Sequence, residues 1–293
     1  YRGFLHGLGR DLDTVTTAEQ IPSLPIGLFR NHRVLLQGLD PAVIFTSSGT
    51  TGATTSSHHV PSPALYERSF MSSFRAVYGD PAECRILALL PAYLEREGSS
   101  LVYMAEKLIA ASGDPFSGTY LYRYDQLADV LRRSESEGRK TLLLGVTFAL
   151  LDLAEQHPMP LTHTTIMETG GMKGRRPELV RDELHAILKN AFGVPTIHSE
   201  YGMTELLSQA WSVGDGLYRC PPWMQVRVRD VNDPFAAVPD GRTGGLDVID
   251  LCNIASCPFI TTQDLGRRYA DGSFEVLGRF DNSDLRGCNL LVD

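Results

Sequence analysis

Six residues, Ser47, Ser48, Gly49, Thr50, Thr51 and Gly52, follow the apolar run Val43-Ile-Phe-Thr46 and bring hydroxyls and glycines together. Glycine takes positive φ without steric cost and leaves backbone N–H groups uncovered, and the flanking hydroxyls add donors that can converge on one anion. A phosphate is the ligand such a loop suits; a polar turn joining two elements is the plainer reading. The loop is not the common nucleotide loop, which ends in Gly-Lys-Ser/Thr, because Gly52 is followed by Ala53-Thr54-Thr55. Two further stretches carry chemistry-bearing residues in close order. One is His198-Ser-Glu-Tyr-Gly-Met-Thr-Glu205, and the other is Phe259-Ile-Thr-Thr-Gln-Asp-Leu-Gly266, followed by Leu277-Gly-Arg-Phe-Asp281.

The elements that must position these stretches alternate in period. Helical spacing is expected over 62–78, 99–111, 125–136, the residues before His157, and 177–191. Apolar or β-branched runs at 84–90, 119–122, 140–144, 164–169 and 194–198 read as strands between them. Strands separated by helices imply βαβ units and a parallel sheet covered on both faces, with ligands gathered at the carboxyl ends of the strands. The Gly49, Gly170 and Tyr201 segments are all expected at that edge, with a polar helix starting beyond Gly202. Residues 24–29 read as extended, since a residue before proline avoids the helical region. Beyond Gly214 the runs 223–229, 245–251, 258–262 and 273–277 are short and divided by Gly, Pro and Asp, so a smaller β-rich lobe is expected. The division read from the chain is an N-terminal approach segment over 1–40, an α/β lobe over 41–214 and a β-rich lobe over 215–293.

Composition excludes several classes. With 293 residues, 43% of them hydrophobic, the chain can bury a substantial core. A formal charge of −8 and no long basic block argue against a nucleic-acid partner. The longest apolar run, 141–151, is too short to span a bilayer. Five cysteines, an odd number without a Cys-x-x-Cys pair, suit reduced thiols and a cytoplasmic setting better than disulfides or a zinc site.

Taken in order, the hydroxyl-glycine loop, the Tyr-Gly-x-Thr-Glu turn, the Asp-Leu-Gly turn and the Gly-Arg-x-Asp segment resemble the adenylate-forming superfamily of acyl-CoA synthetases, luciferases and adenylation domains. Within it, Leu24-Pro-Ile-Gly-Leu-Phe29, Ser56-Ser-His-His59, Leu94-Glu-Arg-Glu-Gly-Ser-Ser100, Glu168-Thr-Gly-Gly-Met-Lys-Gly-Arg-Arg176 and Arg286-Gly-Cys288 resemble the branch of the bioluminescence acyl-protein synthetases and the phenylacetate-CoA ligases. The resemblance implies the large α/β domain of that fold plus a β-rich lobe, with the family's mobile C-terminal domain lacking. It implies ATP and Mg2+ as cofactors. The loop from Ser47 to Gly52 would hold phosphates, with Thr204 as a further donor and Glu205 as the Mg2+ ligand. Tyr201 would offer a flat face to adenine, and Gly170 and Gly171 would let the backbone approach the ring. Asp264 would bind the ribose and Arg279 the ribose or a phosphate, while Asp281 matches the hinge.

The departures bear on mechanism. Most members end the loop in Pro-Lys, where this chain has Thr54 and Thr55, so the lysine charge is supplied elsewhere or omitted. His58 and His59 are candidate replacements, or structural histidines. Lys173, Arg175 and Arg176 form a basic cluster that is either a phosphate or partner site or a solvated face. The expected reaction is ATP-dependent activation of a carboxylic acid, fatty on this branch, followed by transfer to a protein thiol. Cys288 beside Arg286 is the candidate acceptor. The alternatives are a CoA ligase and a non-catalytic binding homologue. The resemblance adds an acyl-carrier or acyl-reductase protein as partner, and residues 142–151 with the helix at Ser99 and Ser100 are expected to shape the acid pocket.

Overall fold

The computed structural model describes residues 1–10, 12–47, 55–91, 98–170 and 179–280. Its strands are β1 (Leu24–Pro25), β2 (Val43–Thr46), β3 (Ser57–Val60), β4 (Arg85–Leu89), β5 (Gly118–Thr119), β6 (Thr141–Gly145), β7 (Thr164–Glu168), β8 (His198–Tyr201), β9 (Ala210–Ser212), β10 (Tyr218–Arg219), β11 (Met224–Arg229), β12 (Thr243–Asp250), β13 (Phe259–Arg268) and β14 (Phe274–Arg279). The helices are α1 (Arg2–Gly7), α2 (Leu28–Asn31), α3 (Ala64–Tyr78), α4 (Ser100–Ser112), α5 (Tyr124–Ser136), α6 (Thr147–Gln156) and α7 (Arg181–Phe192).

One sheet of twelve strands runs β11-β12-β13-β14-β10-β9-β8-β7-β6-β4-β5, with β1 beside β13. From β5 to β8 neighbouring strands are parallel, and from β8 to β11 they are antiparallel. The parallel half is built by helix crossovers, so β4 and β6 are buried on both faces and read as continuous runs, Arg-Ile-Leu-Ala-Leu and Thr-Leu-Leu-Leu-Gly. Helix α3 turns Tyr66, Phe70, Phe74 and Tyr78 inward at helical spacing, and α4 starts where the Ser99 hydroxyl accepts from the Val102 amide. Each fully buried aromatic or leucine of this core contributes about 1.5–3 kcal/mol. The large α/β unit and the smaller β-rich lobe expected from the sequence are therefore the architecture of the chain.

The structure corrects the sequence reading at four points. The strand expected over 194–198 lies at β8, because Val194 and Ile197 pack into the core as connection while pairing with β7 begins at His198. No helix follows Gly202; the chain makes a turn and returns as β9. Strand β2 is not in the main sheet but pairs with β3 in a separate antiparallel hairpin, so the glycine loop is not at the end of a parallel strand. Extended backbone near Pro25 is confined to β1, after which Gly27 opens the turn of α2. Leu24 and Pro25 pair with Ile260 and Thr261 of β13 on the side that β14 takes from Asp264 onward.

Candidate active site

Strands β7 and β8 end side by side, with Glu168 opposite Ser199, so the turns after Glu168 and Tyr201 share the carboxyl edge of the parallel sheet. The Glu168 carboxylate is buried, accepts from the Gly170 amide at 2.7 Å, and lies 3.9 Å from His185 Nε2. Burial pushes this carboxyl up, but His185, Ser199 and the Gly170 amide outweigh it and hold the group below the usual range. Gly170 has φ of 73°, and among the described residues nothing stands within 4 Å of where its Cβ would be.

Tyr201, Asp264 and Arg279 come together although 63 and 15 residues separate the pairs. The Tyr201 hydroxyl donates to Asp264 Oδ2 at 2.8 Å, and Arg279 Nε donates to Asp264 Oδ1 at 3.0 Å. The register that sets Asp264 of β13 opposite Arg279 of β14 fixes the second contact. The Tyr201 ring is 8% exposed and packs edge-on to Phe274 with centroids 5.4 Å apart, so its hydroxyl end rather than a free face meets the carboxylate.

The turn over Thr204 and Glu205 is fastened from both sides. His58 Nδ1 donates to the Thr204 carbonyl at 2.8 Å, and Asn253 Nδ2 donates to the Glu205 carbonyl at 2.6 Å. Asp250 Oδ2 accepts from the Leu207 amide at 2.7 Å and Oδ1 accepts from the Ser208 hydroxyl at 2.6 Å. These bonds replace the helical hydrogen bonds that the sequence suggested, and they leave Glu205 only 5% exposed rather than solvated. Burial raises its carboxyl above the usual range, against the opposing effects of the Ser56 hydroxyl, Arg279 and Arg30. Among the described residues no cation lies within ion-pair distance of Glu205. Three residues earlier, the missing Cβ of Gly202 leaves room for the Glu200 carboxylate, whose Oε1 stands 2.3 Å from where a Cβ would sit.

The open end of the hairpin β2–β3 carries Ser47 and Ser56, the residues that flank the hydroxyl-glycine loop. At its mouth the Ser56 amide donates to Ser47 Oγ at 2.9 Å, and the Ser47 amide to the Ser56 carbonyl at 3.1 Å. Ser48, Gly49, Thr50, Thr51 and Gly52 lie outside the described residues, as do Gly171, Lys173, Arg175, Arg176, Asp281, Arg286 and Cys288. His58 is not a phosphate donor. Its Nδ1 proton is committed to Thr204, its ring is fully buried, and burial lowers its pKa to about 4, so Nε2 is a bare acceptor.

Sequence reasoning passed over several of these residues. Asp250 and Asn253 act on a turn more than forty positions upstream, and no local spacing announces that. Glu200, beside Glu168 and pushed by burial and that charge to about 8, read as one polar residue in a motif. Three buried acceptors near the turn, His58 Nε2, Gln209 Oε1 and Asn253 Oδ1, have no hydrogen-bond partner among the described residues. Together with Glu205 they form a group of polar acceptors at this end of the sheet.

Glu205, without an ion pair among the described residues and rimmed by acceptors that lack partners there, fits Mg2+, which takes one or two protein carboxylates and completes its shell with water and phosphate oxygens. Among the described residues no group of three or more His, Cys, Asp or Glu could hold a metal by itself. The described cysteines Cys84, Cys220, Cys252 and Cys257 are free thiols, and no described helix is long and apolar enough to cross a membrane.

No protein-family model matches the chain, and no curated protein matches its sequence. Solved structures do match in fold. ATP-bound MatB from Rhodopseudomonas palustris is 19% identical with a TM-score of 0.59, over 83% of this chain and 49% of that one. The amide bond synthetase McbA from Marinactinospora thermotolerans is 20% identical with a TM-score of 0.57, over 92% of this chain and 53% of that one. A 2-hydroxyisobutyryl-CoA ligase in complex with 2-HIB-AMP and CoA is 15% identical with a TM-score of 0.69, over 96% of this chain and 64% of that one. The chain thus spans about half the length of the first two. At these identities the likeness establishes the fold.

Proposed function

We propose that this protein activates a carboxylic acid with ATP, forming an acyl-adenylate, and passes the acyl group to the thiol of coenzyme A. The observation that carries the reading is the convergence of Tyr201, Asp264 and Arg279 with the Thr204–Glu205 turn at the sheet's carboxyl edge. The fold likeness to structures holding ATP, or an acyl-AMP with CoA, supports the same reading. In the first step a carboxylate oxygen bonds to the α-phosphorus, the bond to the β-phosphate bridging oxygen breaks, and pyrophosphate leaves. In the second the thiolate sulfur adds to the acyl carbonyl and AMP leaves.

Each residue has a role in that scheme. Asp264 accepts hydrogen bonds from the ribose hydroxyls, and Tyr201 and Arg279 hold its carboxylate in place. Gly170 gives the adenine ring a close approach to the backbone, while the Ser47 and Thr204 hydroxyls donate to phosphate oxygens. Glu205 would hold Mg2+, which supplies charge neutralisation for the polyphosphate. The fixed turn contributes preorganisation, since donors that are already placed need not reorganise as charge develops.

A second reading keeps the first step and changes the acceptor to a protein thiol, with Cys288 as its candidate; the CoA-bound likeness favours the first. Carboxylate-dependent exchange of pyrophosphate into ATP across a panel of fatty, aromatic and short hydroxy acids tests the activation step. Addition of CoA should then give a free acyl thioester. Exchange without thioester, together with a hydroxylamine-labile label lost in Cys288→Ala, would establish the protein-thiol reading instead. Absence of exchange with every acid would refute activation.

A further inference from the structure

The loop ends in Ala53-Thr54-Thr55 where a lysine would neutralise phosphate charge, and His58 cannot replace it. The N-terminal strap reaches the turn that carries Glu205. Its backbone is tied to the sheet by β1 pairing with β13 and by the Ile26 amide donating to the Thr261 carbonyl at 2.9 Å. Phe29, 1% exposed, then packs edge-on against the His58 ring with centroids 5.5 Å apart. His58 in turn holds the Thr204 carbonyl. Arg30 follows directly on α2, anchored by its neighbour to the turn that carries Glu205, with its own side chain in solvent.

Two arginines belong to elements tied to this end of the sheet: Arg279 closes β14, and Arg30 lies on α2 beside Phe29. Arg279 is committed to Asp264, and the next strap arginine, Arg33, is paired with Asp40 at 3.2 Å. Arg30 makes no side-chain hydrogen bond or ion pair among the described residues. Resting on the ATP reading above, we propose that Arg30 is the polyphosphate-binding cation of this site, carried on the N-terminal strap instead of on the glycine loop. A guanidinium suits the task because its planar fork can hold two phosphate oxygens at once. The edge-on Phe29–His58 contact sets where the strap enters, so the cation arrives prepositioned.

The test uses the whole chain with Arg30→Ala, Arg30→Lys and the control Arg33→Ala. Calorimetry with MgATP, inorganic pyrophosphate and AMP should show Arg30→Ala weakening ATP and pyrophosphate about tenfold while AMP binds as before. Arg30→Lys should recover much of the loss, Arg33→Ala should behave as wild type, and the melting temperature without nucleotide should not move. Unchanged ATP and pyrophosphate binding in Arg30→Ala, or equal weakening of AMP, overturns the proposal even if pyrophosphate exchange proceeds normally. Wild-type binding that depends on Arg30 without any exchange would refute adenylate formation and leave the Arg30 site standing. If wild type binds neither ATP nor pyrophosphate, both readings fall.

Discussion

The two ends of the parallel strands treat buried charge in opposite ways. At the amino end Arg85 opens β4 and is enclosed by acceptors. Its Nε meets Asp114 at 2.9 Å, a terminal nitrogen meets Glu137 at 3.0 Å and another donates to the Ser134 hydroxyl at 2.9 Å. Its guanidinium also lies over the Phe116 ring. Every polar atom of that side chain has an answer, as a purely structural cluster needs. At the carboxyl end Glu205 is buried and Glu200 half-buried, neither has an ion pair among the described residues, and their carboxyls rise. A carboxyl held in a fixed geometry without a countercharge costs stability once it ionises, a pattern that functional sites show more often than structural clusters do.

The sharpest way to separate the ends is to break the first. Removing one partner from a buried ion pair typically costs about 3–5 kcal/mol because the other charge stays buried and unpaired. Asp114→Ala should therefore lower the denaturation midpoint strongly, while the surviving folded fraction binds ATP with wild-type affinity. A loss of ATP affinity out of proportion to the loss of folded protein would show that the amino end is coupled to the site. Glu205→Ala should do the reverse. Pyrophosphate exchange should fall at least about tenfold, which corresponds to about 1.4 kcal/mol of transition-state stabilisation, with stability unchanged or improved. An undiminished rate removes Glu205 from the chemistry.

Asp264 lies between these extremes, and the structure sharpens what to substitute. Alanine would strand the buried Tyr201 hydroxyl, at a cost of about 1–3 kcal/mol, and mix stability with binding. Asparagine keeps an acceptor for Tyr201 but loses the charge. Asp264→Asn should weaken ATP binding several-fold with a small change in melting temperature. Equal shifts in melting with and without ATP would assign Asp264 a structural role only.

The same contrast explains what could be read beforehand. Ile86 to Leu90 and Leu142 to Leu144 are contiguous apolar runs, and the helices between them repeat at 3.6 residues, so the parallel half follows from local pattern. The order of Ser47, Tyr201, Glu205, Asp264 and Arg279 was likewise legible as motifs. What fastens them was not. His58 to Thr204 spans 146 residues, and Asn253 to Glu205 spans 48. Such contacts depend on tertiary proximity, and a polar residue in a short turn looks alike whether it faces solvent or clamps a carbonyl. Arg30 illustrates the limit, since in sequence it is an arginine after an extended stretch, and only the contact of its neighbour Phe29 with His58 ties its helix to the β2–β3 hairpin.

The smallest expected effects are in pH dependence, where two groups at the carboxyl end, buried His58 and half-buried Glu200, should tilt stability in opposite directions. His58 is held neutral by burial with its pKa lowered to about 4 from an ordinary value near 6.5. The unfolded chain binds the extra proton first, so this histidine contributes stability above about pH 6.5 that is lost as pH falls toward 4. Glu200 is raised to about 8 from an ordinary value near 4.5 by burial and by Glu168. Here the folded chain keeps the proton longer, so its contribution is present below about pH 4.5 and is lost as pH rises toward 8. Glu200→Gln, which keeps the shape and removes the titration, should leave melting near pH 4.5 as in wild type. At pH 8 it should raise melting by about 2 °C for each 1 kcal/mol of burial relieved. Melting curves of wild type and Glu200→Gln across pH 4.5–8.5 check this. If the two remain parallel throughout, Glu200 is ionised without cost in the folded protein, and the unbalanced charge at the carboxyl end reduces to Glu205 alone.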